Sequence, residues 1–328
     1  MLDTPTTCAV AVGAAVTMIV RYRRHNYAQT LHDAFRTDGF VRIPGFLDAE
    51  AVRETREELR RILDEELAAL PDDMKFYEDV TDHSSLKQLQ AMHKYSPHFA
   101  ALFEGPLRRL AEACLGGDVI GQNLQFFNKP TAIRVRDDTT DPVSGANERH
   151  HTALQLRLRS RPTPPHQDGS YFHLEPCLAL TGWLALDDAD ERNGALHYAH
   201  GSHRMAERNA ERYPNGLLEH EPSGVLGFSR RLPEGVFQQH VSGSSNNNGT
   251  GVRMSDWEPT CMVAAAGDLV AHNAQMVHWA GANRCTRPDR QRRAVGFIYY
   301  ARCAQHDADA AAAYQARIAN EWREKGKL

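Results

Sequence analysis

The chain has 328 residues, 41% of them hydrophobic and 24% charged, which excludes collagen-like, coiled-coil and wholly disordered chains. A chain of this length buries roughly three quarters of its unfolded surface, enough for one large core or two smaller ones. Its net charge of −4 gives no general pull toward nucleic acid or an anionic membrane, and neither is expected as a partner.

Residues 1–25 read as an N-terminal extension. Its apolar stretch, Cys8 to Val20, is too short to span a bilayer as a helix. The basic residues Arg21, Arg23 and Arg24 follow that stretch, whereas a secretory signal carries its charge first, so no stable membrane insertion is expected. The six cysteines form no C-x-x-C pair, which excludes a zinc ribbon or thioredoxin-type site. They read as reduced thiols of a cytosol-like compartment, so a cytoplasmic location is expected. The terminal Gly326-Lys327-Leu328 only faintly echoes the peroxisomal Ser-Lys-Leu address.

A helical part is expected over 26–117. Phe40, Val41, Ile43 and Phe46 form a strand-like run closed by the Pro44-Gly45 turn. Asp48 is placed to cap a helix carrying Val52, Leu59, Ile62, Leu63, Leu67 and Leu70 at helical spacing, about 20 residues long. A second helical stretch runs from Phe99 to Leu115, interrupted by Pro106 and stopped by Gly116-Gly117. From 118 to 303 short β-type runs alternate with turns: Val119 to Asn128, Ala179 to Leu186, Ala195 to Ala199, Met262 to Val270 and Ala294 to Arg302. That texture predicts a mainly β barrel or jelly roll with flanking helices, closed by a C-terminal helix over 307–325. Two segments look inserted. Residues 131–161 are polar, with six arginines and four acidic residues, and serve either as a lid or as a surface insertion. Residues 242–251 are low-complexity loop.

Spacing decides among the 17 histidines. In Thr163-Pro164-Pro165-His166-Gln167-Asp168-Gly169, a strand would aim His166 and Asp168 to one side. Downstream, the Gly267-Asp268 turn leads into a strand, and His278 follows a short connection. Together His166, Asp168 and His278 have the composition of a two-His-one-carboxylate facial triad, which leaves metal positions open and suits non-haem Fe(II). In Arg290-Gln291-Arg292-Arg293-Ala294-Val295, an arginine entering the last β-run offers a bidentate partner for the carboxylate of a diacid. His197, His200 and His203 stand three apart and would not share a strand face, so no second metal site is expected there. His272 is expected to pack or to hydrogen-bond behind the ligands.

These phrases, in this order, resemble the phytanoyl-CoA dioxygenase family of Fe(II)/2-oxoglutarate oxygenases. The resemblance spans most of residues 30–315. It is carried by Asp38-Gly39-Phe40, His166-Gln167-Asp168-Gly169, Trp183-Leu184-Ala185-Leu186-Asp187, Asn193-Gly194, Gly201-Ser202-His203-Arg204, Gly267-Asp268, His278 and Arg292. It implies a double-stranded β-helix (a jelly-roll, cupin-like barrel), with His166, Asp168 and His278 as ligands of Fe(2+). It also implies that Arg292 binds the far carboxylate of 2-oxoglutarate, Arg293 being the runner-up. On the strand Asn123 to Lys129, the residues Asn123, Gln125, Phe127 and Lys129 share a face. The resemblance makes Asn123, Gln125 and Lys129 contacts of 2-oxoglutarate or substrate. Phe127, Trp183 and Tyr171 read as pocket wall.

The implied activity is O2-dependent hydroxylation of an unactivated C–H in a small organic substrate, giving succinate and CO2. The carboxylate Asp168 favours hydroxylation over halogenation, because halogenating relatives lack it. Desaturation or demethylation by the same oxidant, or a non-catalytic binding barrel, are the alternatives. The chain departs from the family pattern in the length of 131–161 and in Trp279, which stands where a glycine often follows the distal histidine. The arginines at 134, 136, 149, 157, 159 and 161 hint at an anionic substrate if that segment covers the pocket.

Overall fold

The computed structural model describes residues 24–136, 154–225, 228–234 and 257–324. The extension before residue 24, the middle of the 131–161 segment, the 242–251 loop and the final tripeptide lie outside the described residues.

Helix α1 (Arg24–Asp38) leads into strand β1 (Phe40–Ile43). Helix α2 (Ala49–Arg61) starts where Asp48 accepts a hydrogen bond from the Ala51 backbone N–H at 2.9 Å. It continues into a π turn (Ile62–Glu66) and a 3₁₀ turn (Leu67–Ala69), so only the first part of the expected helix is regular. Strands β2 (Lys75–Tyr77) and β3 (Leu86–Leu89) follow. Helices α3 (Pro97–Leu102) and α4 (Arg108–Leu115) are joined by a π turn that holds Pro106. Gly116 ends α4 at φ +74°, a left-handed cap, and its N–H reaches the Glu112 carbonyl at 2.9 Å.

The remaining strands are β4 (Val119–Lys129), β5 (Ile133–Arg136), β6 (Leu154–Arg157), β7 (Thr163–His166), β8 (Leu174–Glu175), β9 (Ala179–Ala185) and β10 (Leu196–Ala199). After them come β11 (Glu221–Val225), β12 (Phe228–Arg231), β13 (Pro259–Met262), β14 (Leu269–Asn273), β15 (His278–Ala280), β16 (Arg292–Ala301) and β17 (Gln305–His306). Helix α5 (Ala308–Glu324) closes the described chain. A seven-stranded sheet in the order β1-β14-β9-β16-β4-β3-β2 and a four-stranded sheet in the order β13-β10-β15-β7 build the double-stranded β-helix.

Side-chain alternation sorts the large sheet into two faces. Leu124 and Phe126 of β4, Leu180 and Leu184 of β9, and Val295 and Phe297 of β16 pack with Phe35, Leu59, Phe99 and Leu107 of the helical layer. The opposite face looks into the barrel, where Trp183, Val270 and Ala294 meet Tyr198 and Met276. Both faces are covered, so these strands read as apolar runs rather than a clean polar–apolar alternation.

Two expectations need correction. The run Met262 to Val270 is not one strand: it ends β13 in the small sheet and begins β14 in the large one, with a turn at Gly267 (φ +95°) between them. A Cβ on that glycine would lie 2.4 Å from the Leu47 carbonyl oxygen. The 131–161 segment is not irregular throughout, since β5 and β6 pair antiparallel, Ile133 opposite Arg157. The alternations Ile133-Arg134-Val135-Arg136 and Leu154-Gln155-Leu156-Arg157 are the period-two signal of these strands, hidden by the polarity of the segment as a whole.

Close approach inside the large sheet is set by Gly182 of β9, where a Cβ would fall 1.9 Å from the Phe297 ring. Gly182→Ala should destabilise the protein by roughly 1–3 kcal/mol through overpacking. Gly117→Ala, with nothing within 4 Å of an added Cβ, should stay within about 0.5 kcal/mol. Urea unfolding of both variants checks this.

Candidate metal centre and its cavity

His166 is the last residue of β7 and His278 the first of β15, and the two are register partners in the small sheet. Asp168 does not continue the strand. Its φ −61° and ψ −32° are helical, and it opens a single turn over Gly169–Phe172. The expected strand geometry of the His-x-Asp pair is therefore replaced by a turn at the strand's end, which still brings Asp168 Oδ1 to 3.4 Å from His166 Nε2. Gln167 holds that turn. Fully buried, it donates to the Gly216 and Gln275 carbonyls at 3.1 and 2.6 Å and accepts from the Leu218 N–H at 2.7 Å. The Gly169 N–H adds a bond to the Ala274 carbonyl at 2.8 Å.

The ligating atoms of His166, Asp168 and His278 all lie within 4.8 Å of one another. Each histidine's Nδ1 faces a backbone carbonyl: Pro164 at 2.8 Å for His166, and Met276 at 3.0 Å for His278. A carbonyl only accepts, so both Nδ1 atoms carry the proton and both Nε2 lone pairs turn toward Asp168. His278 Nε2 stands 3.7 Å from Asp168 Oδ1. Burial, then the neighbouring His272 and His166, hold the His278 imidazole well below its usual value, which keeps it in the neutral, ligating form. Burial pushes the Asp168 carboxyl up, while the hydrogen bond from His272 pulls it down and favours the ionised form.

The third imidazole is His272. Its Nε2 donates to Asp168 Oδ2 at 3.2 Å. With that nitrogen protonated, its Nδ1 must accept, and it does so from the Tyr198 hydroxyl at 2.8 Å. Tyr198, His272 and Asp168 thus form a buried chain that fixes the carboxylate's orientation and leaves Oδ1 facing the two histidines.

A cavity of about 510 Å³ opens on this cluster. Arg292 lines it, 3% exposed, with its guanidinium 5.2 Å from the Trp183 ring centroid. Among the described residues it makes no hydrogen bond, and its buried Nε is unsatisfied. Burial pushes it down to about 9, the distant Asp187 partly opposing. Arg293 faces the other way and grips Asp187 with two bonds of 2.8 Å. Asn123, Gln125, Phe127, Trp183 and Tyr171 line the cavity. Lys129 does not: its Nζ donates to the Arg161 carbonyl at 2.9 Å, although strand alternation puts it on the same face.

Sequence reasoning passed over Gln88, Gln90, Gln122 and Gln315, which also line the cavity. The i, i+2 spacing of Gln88 and Gln90 was a usable signal. Gln122 was not readable, because it sits at a bulge where the register steps from Asn123↔Ile298 to Gly121↔Tyr299.

None of the arginines at 134, 157, 159 and 161 lines the cavity. Arg159 instead reaches the Ser84 carbonyl at 3.0 Å. His197 stacks on Trp279, His200 faces Asp38, and His203 bonds the Arg36 carbonyl, so these three do not converge.

A double-stranded β-helix that gathers two histidines and a carboxylate in one cavity with a buried arginine has the architecture of a non-haem iron oxygenase. The chain belongs to the phytanoyl-CoA dioxygenase (PhyH) family, whose model matches residues 35–294, and enzymes of this family use non-haem iron and 2-oxoglutarate. Solved structures support the fold. The non-heme alpha ketoglutarate dependent epimerase SnoN from nogalamycin biosynthesis is 20% identical, with a TM-score of 0.54, covering 86% of this chain and 85% of that one. The carbocyclase SnoK from the same biosynthesis is 18% identical, with a TM-score of 0.54 and 85% of each chain covered. EctD from S. alaskensis, solved with 2-oxoglutarate and 5-hydroxyectoine, is 17% identical, with a TM-score of 0.55 over 82% of this chain and 74% of that one. No curated protein matches the chain significantly.

The residues present fit both cofactors. Two neutral imidazole nitrogens and a carboxylate are a donor set for Fe(II), and an orphaned buried guanidinium calls for an anion. No helix among the described residues is long and apolar enough to cross a membrane.

If the Tyr198–His272–Asp168 chain fixes the carboxylate, His272→Ala should weaken metal binding by about 10–100-fold, and Tyr198→Phe by less. Titration of the apoprotein with Co(II), followed by its visible absorption, measures both.

Proposed function

We propose that this protein hydroxylates an unactivated C–H of a small organic substrate while converting 2-oxoglutarate to succinate and CO2. The observation that carries this reading is Arg292, a buried cation with no hydrogen-bond partner among the described residues, in the same cavity as the His-Asp-His cluster. Its natural complement is the far carboxylate of a diacid whose other end reaches the metal.

In this reading His166, Asp168 and His278 hold the metal from one side and leave its other positions to the cavity. Iron and 2-oxoglutarate, once bound, supply the oxidising chemistry with O2. Everything else falls to the chain. Arg292 anchors the co-substrate, and the Trp183 ring under the guanidinium keeps it from swinging. Burial, and then Arg292, push the Lys129 ammonium well below its usual value, so it adds little charge behind that anchor. Asn123 and Gln125 are placed to hydrogen-bond the co-substrate or the substrate. Phe127 and Tyr171 form walls that exclude water.

Anaerobic titration with Fe(II) and 2-oxoglutarate should give a saturable visible charge-transfer band, absent in His166→Ala. Arg292→Ala should raise the 2-oxoglutarate half-saturation about 10–100-fold, the worth of a lost charged hydrogen bond. Asp168→Ala should abolish iron-dependent turnover of 2-oxoglutarate, and with the true substrate the product should gain one oxygen atom. A folded protein that gives no band would make a binding barrel the better reading.

A further inference from the structure

Away from the metal cluster and Arg292, six carboxamides supply much of the cavity's polar surface, beside the hydroxyls of Thr163, Thr181, Ser229, Tyr171 and Tyr300 and the imidazole of His306. Gln88 and Gln90 come from β3 and the residue just past it, Gln122, Asn123 and Gln125 from β4, and Gln315 from α5. Among the described residues, the only carboxylate or cation in the lining besides Asp168 and Arg292, histidines apart, is Asp73, which is exposed. Phe172, Ile298, Tyr300 and Ile318 supply apolar wall.

Hydrogen-bond accounting shows what these amides leave open. Asn123 Oδ1 accepts from the Ala91 N–H at 3.0 Å, so its Nδ2 is the donor to Gln90 Oε1. That orients the Gln90 amide with its two N–H donors still available. Gln88 Nε2 donates to Gln125 Oε1 at 2.7 Å. Gln88 Oε1, on a residue only 3% exposed, is buried without a partner. The side chains of Gln122 and Gln315 make no hydrogen bond among the described residues. The wall thus presents donors and acceptors side by side, with no net charge.

We infer that the substrate is an uncharged, hydroxyl-rich molecule with an apolar face, and that the cavity rejects anionic molecules of the same shape. The inference rests on the oxygenase reading of this cavity. In that reading Arg292 is already paired with the co-substrate, so a second anion would be buried with no counter-charge, at several kcal/mol. Asp73 at the exposed part of the lining repels it further. A hydroxyl both donates and accepts, as a carboxamide does, so it complements a wall that offers both. The cavity's about 510 Å³ lies in the range that holds a drug-sized molecule.

The test uses protein loaded anaerobically with Fe(II) and 2-oxoglutarate, so that the charge-transfer band first establishes the site. Matched probes are then added: phenyl β-glucopyranoside against phenyl β-glucuronide, and glucose against glucose 6-phosphate. The neutral member of each pair should shift the band with a half-saturation at least about tenfold below that of its anionic counterpart, equivalent to about 1.4 kcal/mol. Gln122→Leu and Gln315→Leu should each raise the half-saturation for the neutral probe several-fold relative to that for 2-oxoglutarate. The inference is overturned if the anions shift the band as well or better, if no neutral probe shifts it at millimolar concentration, or if both variants respond like the parent. Failure of the band to form is a different result: it defeats the oxygenase reading itself, and this inference with it.

Discussion

The geometry of this protein turns on one carboxylate. Asp168 sits where three imidazoles converge, two facing Oδ1 and one bonded to Oδ2. Each contact comes from a different part of the barrel: β7, β15 and β14. Desolvation opposes the charge of a carboxylate buried there, and the hydrogen bond from His272 favours it. The pairing of β7 with β15, the clamp of Gln167 on two loops, and the hydroxyl of Tyr198 from β10 all serve to keep that point fixed.

The large sheet divides labour between its faces. One side is closed by the helical layer and holds the bulk of the apolar packing. The other carries the polar side chains that chemistry requires, at the same alternating positions of the same strands. On β16, Val295 and Phe297 secure the sheet while Arg292 and Ile298 face the cavity. The scaffold that buries the hydrophobic surface is therefore also the scaffold that aims the functional groups, and a register slip by one residue would exchange the two roles.

Much of this was legible in the chain. The helix caps at Asp48 and Gly116 and the apolar strands of the large sheet rest on local signals that the structure bears out, and His166, Asp168 and His278, singled out from the sequence, come together in it. Arg292 and Arg293 could not be told apart by residue type. Their opposite environments follow from which side of β16 each occupies and from the presence of Asp187 on the outer side. The helical turn at Asp168, the bulge at Gln122 and the sheet change near Gly267 were out of reach for one physical reason. Each is decided by pairing with distant strands, and no window of neighbouring residues contains that information. Lys129 shows the limit of alternation: a long, flexible side chain on the expected face can still take its ammonium to a backbone carbonyl.

Helix α5 belongs to neither sheet, yet Ala311, Gln315 and Ile318, spaced to lie on one side of it, form part of the cavity wall. It also lies beyond residues 35–294, the stretch that matches the family model and contains the whole His-Asp-His cluster together with Arg292. The two halves of the cavity therefore stand under different constraints. Strand register governs the metal and co-substrate side, where almost any change propagates through the barrel. The α5 side is held by helix packing and by Tyr314, which bonds the Ser229 hydroxyl and packs against Tyr171. A side-chain exchange on one side of α5 therefore reshapes the cavity wall without moving the strands that carry the His-Asp-His cluster.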